Sequence, residues 1–236
     1  MRLSLLTAAA LAAPAALTAQ VGYDPGHSPY RDIPKGHTIS ASFGRFGGTG
    51  GSLRLGPHAG NVYGVRYDLR TNSFLQFGID ISHGTLERFI VDPFVPKAQR
   101  VRGPIPQSIT FAEAALQLNL TGGKTWHRLA PFFGVGLGVG LGNAAVAGDT
   151  SGYTFKNKFY FAPTIGTRLF LTDRLQLRAE VRSLFWKLTY PTRFLADPPS
   201  EPGTPAGSNA VIAAGRLNEW TPSLWLRVAL AYSIRF

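Results

Sequence analysis

The end of the chain alternates strictly between two kinds of side chain. From Leu224 to Phe236 every even-numbered position is apolar or aromatic, whereas the odd positions from Arg227 onward are small or charged. A period of two places the apolar side chains on one face of a β-strand and the small or charged ones on the other. A strand that faces lipid on one side and a polar lumen on the other has this pattern. We therefore predict a membrane-spanning strand here.

Seven further segments upstream show the same alternation and are also predicted to be strands. With the C-terminal segment they make eight: residues 37–46, 60–70, 74–83, 109–120, 129–142, 158–171, 174–187 and 219–236. Most are long enough to cross a membrane as a tilted strand, which takes roughly 9 to 11 residues. Proline removes a hydrogen bond from a strand ladder, so we expect a β-bulge at Pro163, or a membrane-crossing part that starts after it.

The connections between these strands alternate in length. Short connections join strands two and three (71–73), four and five (121–128) and six and seven (172–173). The long connections cover residues 47–59, 84–108, 143–157 and 188–218. Outer-membrane barrels have this asymmetry, with short periplasmic turns and long extracellular loops, and an even strand count leaves both ends of the barrel chain in the periplasm. The predicted fold class is all-β, an eight-stranded antiparallel up-and-down transmembrane barrel.

The stretch 129–147 has a second interpretation. It is uncharged, and Gly134, Gly138 and Gly142 have the GxxxG spacing that can indicate a pair of transmembrane helices. However, glycine occupies every second position from Gly134 to Gly142. In a helix each glycine costs about 1 kcal/mol relative to alanine, and these glycines would spread around the whole circumference. A strand places all of them on one face, so the strand is favoured.

Three segments resemble the OmpA/OmpX-like superfamily of small eight-stranded bacterial outer-membrane barrels. Residues 131–138 (PFFGVGLG) resemble the fifth strand of such barrels, and residues 165–182 resemble its pattern of glycine-bearing strand, Thr-Asp turn and Leu-x-Leu-Arg-x-Glu-x-Arg strand. The C-terminal alternation resembles the terminal strand, whose last aromatic residue is read by the barrel-assembly machinery. In this chain that signal corresponds to Tyr232, Ile234 and Phe236. The resemblance implies outer-membrane location and a role in envelope integrity, adhesion or surface interaction, with no separate periplasmic domain.

The N-terminus predicts export. Met1 and Arg2 form a minimal positive region, residues 3–13 are apolar, and a signal peptidase is expected to cut after Ala19. The alternative is an N-terminal anchor helix, but the apolar stretch is short for a span and Pro14 interrupts it. The predicted organisation is a signal peptide (1–19), a periplasmic lead-in (20–36) and an outer-membrane barrel (37–236). The lead-in is rich in Gly, Pro and Asp and is predicted to be irregular.

Composition and charge narrow the possible partners. The chain has 236 residues with no cysteine, so a closed ladder of strands rather than disulfides is expected to hold an exported domain together. Its formal net charge is +11. We expect such a chain to meet outer-membrane lipid and lipopolysaccharide rather than nucleic acid, because Lys and Arg bind headgroup phosphates. The alternative is a solvated basic surface with no specific partner.

Three charged residues near the middle of strand seven share one face of that strand. Arg178, Glu180 and Arg182 lie on one side of strand seven and must point inward, since an Arg or Lys at the lipid midplane costs roughly 2 to 4 kcal/mol. The same phase predicts a lumenal charge network of Arg66, Asp68, Asp80, Glu113, Arg168, Arg178, Glu180, Arg182 and Arg227. Side chains fill an eight-stranded barrel, so we favour a packed network of ion pairs. The excess of inward Arg leaves a narrow anion-preferring channel as the alternative.

No residue pattern indicates an active site, a metal site or a cofactor. The five histidines have no metal-ligand spacing and are expected at the surface or rim; they are His27, His37, His58, His83 and His127. Asp80, Ser82 and His83 are close in sequence, but in a strand His83 faces away from the other two, so they cannot form a catalytic relay. We predict no catalysis, and a lipid-modifying enzyme is the less favoured alternative.

Two further groups of side chains are predicted to lie at the membrane surface. Aromatic residues near strand ends are candidates for interfacial girdles: Phe46, Tyr67, Trp126, Phe159, Trp186, Trp220 and Phe236. Ordinary apolar packing is the alternative for them. The long connection 84–108 is a candidate lipopolysaccharide-contacting loop, through Arg88, Lys97, Arg100 and Arg102, or else merely a soluble loop.

The resulting hypothesis is a monomeric, non-catalytic integral outer-membrane barrel with a structural or surface-interaction role. A secreted soluble barrel of the lipocalin kind is a further alternative. Such a barrel would turn its apolar residues inward, so the direction of the apolar face separates the two.

Overall fold

The computed structural model describes residues 28–33, 36–142, 148–199, 209–212 and 215–234. The strands are β1 (Tyr30–Asp32), β2 (Gly36–Gly48), β3 (Ala59–Arg70), β4 (Leu75–Val91), β5 (Val101–Asn119), β6 (Lys124–Trp126), β7 (Leu129–Gly142), β8 (Asn157–Phe170), β9 (Leu175–Thr189) and β10 (Asn218–Ile234). Short 3₁₀ segments lie at Lys97–Gln99 and Thr192–Leu195. Within the described ranges, no helix has the length and apolarity needed to cross a membrane. The predicted signal peptide lies outside these ranges.

Eight of these strands close into a barrel. β2, β3, β4, β5, β7, β8, β9 and β10 pair antiparallel in that order, and β10 returns to pair with β2. The seam between the first and last barrel strands is a continuous ladder from the Ser223–Gly48 pair to the Ile234–His37 pair. A closed ladder satisfies the backbone polar groups without an open edge, as lipid requires. The predicted fold class is confirmed.

The two ends of the barrel differ in their connections, as predicted. One end, the turn end, carries the connections 71–74, 120–128 and 171–174. The other end, the loop end, carries the connections 49–58, 92–100, 143–156 and 190–217. The sequence therefore located every barrel hairpin correctly.

The connection between β4 and β5 is shorter than predicted, because both strands continue beyond the barrel wall. β4 runs to Val91 and β5 begins at Val101, so most of the predicted loop 84–108 is strand. The ladder between these strands has one register shift, between Arg88 and Ile90. The alternation of exposed and buried residues continues into this extension, so its side chains still have an inner and an outer face.

The bulge predicted at Pro163 is absent. β8 is continuous through this residue, and its pairs with β9 keep one register from Tyr160–Trp186 to Thr164–Arg182. Ala162 and Pro163 have no partner in β9, whereas Pro163 still lies opposite Val135 of β7. Proline lacks the N–H group that a ladder needs, so it interrupts the pairing, but no extra residue is inserted and the register is unchanged.

Part of the lead-in, predicted to be irregular, is ordered against the turn end. Residues 28–33, here called the strap, contain β1, which pairs with β6 beside β5 and β7. The Ile33 N–H donates to the Gly123 carbonyl at 2.7 Å, and its side chain is buried with Ala130 and Phe170. β7 and β2 lie on opposite sides of an eight-stranded ring. The strap therefore crosses the turn end, from β6 beside β7 toward β2, the strand that follows it in the chain.

The barrel wall has apolar side chains outside and charged side chains inside. Leu226 is 48% exposed and Leu230 is 52% exposed, whereas Arg178 is 3% exposed and Glu180 is 4% exposed. Along β10 the outward residues form an unbroken apolar row of Leu224, Leu226, Val228, Leu230 and Tyr232. This polarity is opposite to that of a soluble barrel, so the lipocalin-like alternative is excluded.

The loop-side half of the interior is an apolar cluster, here called the aromatic plug. Barrel strands contribute Phe46, Phe111, Tyr160, Trp186 and Trp225, and the loops contribute Leu55, Tyr153, Phe155 and Phe194. The Phe111 ring lies at the centre of the strand contribution, with ring centroids 5.4 Å from Trp225 and 6.2 Å from Phe46. The loop residue Phe155 meets Trp186 edge-on at 5.4 Å. Loops and wall therefore share one core.

Candidate functional site

The nine residues predicted to form a lumenal charge network all lie inside the barrel. Each is 4% exposed or less, and they come from six different strands. Their common inward direction follows from the period of two, since each charged pair on a strand is separated by one outward residue. The structure joins eight of the nine through ion pairs and leaves Arg168 apart from them.

Glu180 is the centre of this charge network. Its Oε2 accepts from Arg178 Nη2 at 2.6 Å, and its Oε1 accepts from Arg227 Nε. Arg182 Nε lies 3.9 Å from the same Oε1. One carboxylate therefore meets three guanidinium groups, two from its own strand β9 and one from the neighbouring strand β10.

The same three arginines continue from Glu180 to the opposite wall of the barrel. Arg178 Nη1 lies 3.4 Å from Asp68 Oδ2, Arg227 Nη1 donates to Asp80 Oδ2 at 2.5 Å, Arg182 Nη2 pairs with Glu113 Oε2, and Arg66 Nε donates to Asp68 Oδ1 at 2.8 Å. The pairs reach β3, β4 and β5, which face β9 and β10 across the ring. The network is thus a cross-brace that ties opposite walls together, and paired partners are what make buried charge tolerable.

Glycines on the inner face of β7 make room for these side chains. A Cβ atom on Gly136 would collide with the Glu113 carboxyl group, and one on Gly138 would lie 2.5 Å from the Tyr160 ring. Gly140 is different, because a Cβ there would meet nothing closer than 3.7 Å. The glycine alternation that favoured a strand in the sequence therefore also matches the bulk of the neighbouring inward side chains.

Aromatic rings border the charge network on its loop side. The Trp225 ring lies under two guanidinium groups, 5.0 Å from that of Arg182 and 5.2 Å from that of Arg227. Trp225 also belongs to the aromatic plug. A cation over an aromatic face is attracted by the ring quadrupole, so this residue joins the charged and apolar halves of the lumen.

Arg168 and a residue absent from the predicted network, Arg70, lie at the turn end. Arg168 Nη1 donates to Gln76 Oε1 at 2.5 Å, and its Nη2 donates to Asn119. Arg70 is 6% exposed and donates to the Ile33 carbonyl at 3.4 Å. The inward phase of Arg66 and Asp68 continues to Arg70, so the alternation contained the signal that would have found it.

The lumen is closed at both ends within the described residues. At the turn end, between Arg70, Arg168 and the strap residue Ile33, a cavity of about 10 Å³ remains. Such a volume holds about one water-sized particle. At the loop end, the aromatic plug fills the barrel with fully buried side chains.

The loops above the plug are joined by a buried ion pair. Arg88 Nη2 donates to Asp149 Oδ2 at 2.5 Å, and the Arg88 guanidinium lies 5.4 Å from the Tyr153 ring centroid. Burial raises the pKa of the Asp149 carboxyl, but hydrogen bonds from the Ser151 hydroxyl and from Arg88 outweigh it and hold that pKa below its usual value. The carboxylate is therefore ionised at neutral pH and links the β4–β5 hairpin to the β7–β8 loop.

The four residues of the candidate lipopolysaccharide-contacting loop do not share one exposed surface. Arg88 is 1% exposed and Arg100 is 9% exposed, so neither can reach a lipid phosphate. The reason is that β4 continues to Val91, which keeps Arg88 on the inward phase of the strand. Lys97 is exposed, and Arg102 is exposed beside Asp92, with 3.9 Å between Arg102 Nη2 and Asp92 Oδ2.

Exposed cations nevertheless dominate the loop end. Within the described residues this end exposes eight basic residues and two acidic ones. The basic residues are Arg45, Arg54, Lys97, Arg102, Lys156, Lys187, Arg193 and Arg216, and the acidic residues are Glu87 and Asp197. Arg45 and Lys187 lie on the outer face, each two residues beyond an aromatic residue of the barrel wall, Phe43 or Phe185.

The predicted girdle residues divide between the two faces of the wall. Four lie outside and are between 40% and 63% exposed: Tyr67, Trp126, Phe159 and Trp220. Phe46 and Trp186 are buried in the aromatic plug, because both occupy inward positions of their strands. The predicted assembly signal has Tyr232 on the outer face and Ile234 partly exposed, while Phe236 lies outside the described residues.

The Asp80, Ser82 and His83 side chains are not assembled into a catalytic relay. The Ser82 hydroxyl donates to Asp80 Oδ1 at 2.5 Å inside the lumen. His83 lies on the outer face, where its Nδ1 is 2.9 Å from the Thr110 hydroxyl. In the part of the chain that the structure describes, no three His, Asp or Glu side chains form a group able to hold a metal ion.

Known structures share this fold, although no family model and no protein with a curated description matches the sequence. Neisserial surface protein A is 12% identical over 84% of this chain and 97% of its own, with a TM-score of 0.52. The outer membrane protein OprG from Pseudomonas aeruginosa is 9% identical over 86% of this chain and 99% of its own, with a TM-score of 0.49. The match to Neisserial surface protein A, together with the closed eight-stranded ring of this chain, confirms the resemblance to small eight-stranded outer-membrane barrels at the level of the fold.

Proposed function

We propose that this chain is an integral protein of a bacterial outer membrane, with a structural and surface-interaction role and no catalytic activity. The observation that carries the proposal is the polarity of the closed barrel, with an apolar outer row on every wall strand and an ion-paired interior. A strand-based structure of this polarity is stable only where lipid covers its outer face. The turn end then faces the periplasm and the loop end faces outward.

The closed lumen favours a structural role over a channel. The charge network ties β9 and β10 to the opposite wall, and the aromatic plug fills the loop-side half. An ion that crossed this barrel would have to separate buried ion pairs, which costs several kcal/mol for each charge left unpaired. The excess of inward arginine, which motivated the channel alternative, lies on the turn side of the aromatic plug and is separated by it from the loop end.

Lipopolysaccharide is the partner that the loop end fits best. Its phosphates lie at the outer boundary of the apolar belt, and charge-assisted hydrogen bonds from Arg and Lys bind phosphate strongly. Arg45 and Lys187 project outward from the wall at this boundary. We therefore assign the lipid contact to Arg45 and Lys187 rather than to Arg88 and Arg100, which are buried.

Membrane fractionation with a heat-modifiability gel tests location and fold together. We expect the protein in the outer-membrane fraction, migrating faster before boiling than after it, because a folded barrel stays compact in detergent. Recovery from the soluble periplasm, or the same mobility with and without boiling, would contradict the proposal.

A charge-reversal pair tests the lipopolysaccharide contact. The variant Arg45→Glu with Lys187→Glu is reconstituted in phosphatidylethanolamine vesicles with and without lipopolysaccharide, and the unfolding temperature is measured. We expect lipopolysaccharide to stabilise the wild type and to stabilise this variant much less. Lys124→Glu with Arg128→Glu is the matched control, since it makes the same charge change on exposed residues of the turn end. Equal stabilisation of all three proteins would refute the assigned contact.

A further inference from the structure

The barrel interior contains more buried arginine than buried carboxylate. In the lumen described by the structure, six arginines face four carboxylates; the arginines are Arg66, Arg70, Arg168, Arg178, Arg182 and Arg227, and the carboxylates are Asp68, Asp80, Glu113 and Glu180. The charge network pairs all four carboxylates with four of the arginines. The excess positive charge is therefore carried by Arg70 and Arg168.

Among the described residues, these two arginines form no ion pair, and their hydrogen-bond partners are neutral. Arg168 is 3% exposed, and its guanidinium meets two amide oxygens and the Phe132 ring, whose centroid is 5.3 Å away. Its Nε has no hydrogen-bond partner. Arg70 has one carbonyl contact, at 3.4 Å to Ile33. Neutral oxygens satisfy donors but do not neutralise charge, and an uncompensated buried charge is costly.

Both guanidinium groups border the same small cavity at the turn end. The cavity has a volume of about 10 Å³, and its polar lining includes Thr38, Gln176 and Ser233 besides the two arginines. Two of these polar side chains are joined to each other, since the Gln176 amide nitrogen donates to the Ser233 hydroxyl at 3.3 Å. The volume suits one particle of about the size of a water molecule.

We propose that this cavity, here called the arginine pocket, binds one small inorganic anion of the size of chloride. An anion supplies the negative charge that the amide oxygens lack, and it accepts a charge-assisted hydrogen bond from a guanidinium group that borders the cavity. A water molecule could accept this hydrogen bond but would leave both positive charges uncompensated. A cavity that accommodates about one water-sized particle is too small for a phosphate group or a lipid headgroup. The pocket binds without transport, because the aromatic plug closes the other end of the lumen.

Chloride-35 NMR of the refolded protein in detergent tests the proposal directly. We expect the wild type to broaden the chloride signal, and bromide, but not the larger gluconate ion, to reverse the broadening. Arg168→Gln and Arg70→Gln should each weaken chloride binding about tenfold or more, since a charge-assisted hydrogen bond contributes roughly 1.5 to 3 kcal/mol. Arg128→Gln is the control, because it removes an exposed arginine from the same end of the barrel.

Two outcomes decide the matter even if one variant folds poorly. Heat modifiability shows which variants are folded, and only those are compared. Equal broadening by wild type and a folded Arg70→Gln or Arg168→Gln protein would overturn the proposal. Anomalous scattering from crystals grown in bromide gives a second readout on the wild type alone, with a peak expected between the two guanidinium groups; bromide found only elsewhere would also overturn it. Neither measurement depends on cellular location, so either can fail while the proposed function stands.

Discussion

The two halves of the barrel interior solve the same packing problem in opposite ways. The turn-side half is filled by a network of arginines and carboxylates, and the loop-side half is filled by aromatic and aliphatic side chains. On β9 the change occurs within one inward row, in which Arg178, Glu180 and Arg182 are followed by Leu184 and Trp186. The outer face changes at about the same level, from Val181 to Lys187.

This difference shows where the surroundings of the wall change along one strand. In lipid the outer face must be apolar, so polar groups are collected inside. Beyond the lipid the outer face meets water, and the ordinary preference returns, with apolar side chains inside. β4 shows the same reversal, since outward Ile81 is followed by outward Thr85 and Glu87, while inward Asp80 gives way to inward Leu86. On β4 and β9 the inner face therefore becomes apolar near the level at which the outer face becomes charged.

The largest expected effect comes from removing the centre of the charge network. Glu180→Gln keeps the side-chain shape but leaves three arginines without their shared carboxylate, so we expect the free energy of unfolding to fall by about 3 to 5 kcal/mol. Urea-dependent unfolding in detergent or lipid vesicles, followed by Trp fluorescence, measures this loss. Glu87→Gln is the control, since Glu87 is exposed at the loop end. Equal stability of the two variants would mean that the network is not a cross-brace.

A plug variant separates the two halves of the lumen. Trp186→Ala removes a fully buried ring from the plug, and we expect a loss of about 3 kcal/mol. The loss should fall mainly on the loop end, so that added protease cuts the loops faster while the barrel remains heat-modifiable. Trp220→Ala is the matched control, because Trp220 is 60% exposed on the outer face. If protease cuts the loops of both variants at the same rate, the plug does not hold the loops in place.

A pair of glycine variants tests how tightly the network is packed. Gly136→Ala places a methyl group against the Glu113 carboxyl group, so we expect a cost of about 1 to 3 kcal/mol from overpacking. Gly140→Ala lies on the same face of the same strand but has no contact closer than 3.7 Å, and we expect little change or a slight gain. Both are measured by the same unfolding assay. A larger loss in Gly140→Ala would contradict this packing.

The smallest expected effect is a dependence of the loop contacts on pH. Folding lowers the pKa of Asp149 below the usual 3.8, so its contribution to stability is present above that pH and is lost as the pH falls through the folded-state value. We expect pepsin to cut the β7–β8 loop faster as the pH falls below about 3.8. Asp149→Asn should be cut faster at every pH, with a weaker pH dependence. A wild-type cleavage rate that does not rise in acid would rule out this contribution.

The sequence predicted the charged half of the lumen better than the apolar half. Arg178, Glu180 and Arg182 could be assigned an inward direction because only one face of a membrane-spanning strand tolerates charge. Trp186 lies on the same face, but an aromatic residue near a strand end fits an interfacial girdle as well as a core. Whether such a residue points inward or outward depends on whether the strand is still in the lipid at that position. The alternation within one strand does not show where the lipid ends.

Contacts between segments that are distant in the chain could also not be predicted from the sequence. The phase of β4 would have placed Arg88 inside if the strand had been extended, but its partner Asp149 lies in another loop. The strap was predicted to be irregular because the lead-in is rich in Gly, Pro and Asp, and its order comes from pairing with β6. Local sequence patterns thus identified the wall strands and turns. The strap and the contacts between loops became visible only in the three-dimensional structure.

The strap also determines where the two extremities of the described chain emerge. Both extremities lie at the turn end, on opposite sides of the ring. Tyr30 lies beside Trp126 on one side, and Ile234 lies beside His37 at the seam on the other side. A fluorophore attached ahead of the strap and another attached at the seam would therefore report from positions separated by the full diameter of the cylinder. The efficiency of energy transfer between such labels depends on their separation, so it would report the closure of the barrel during membrane insertion.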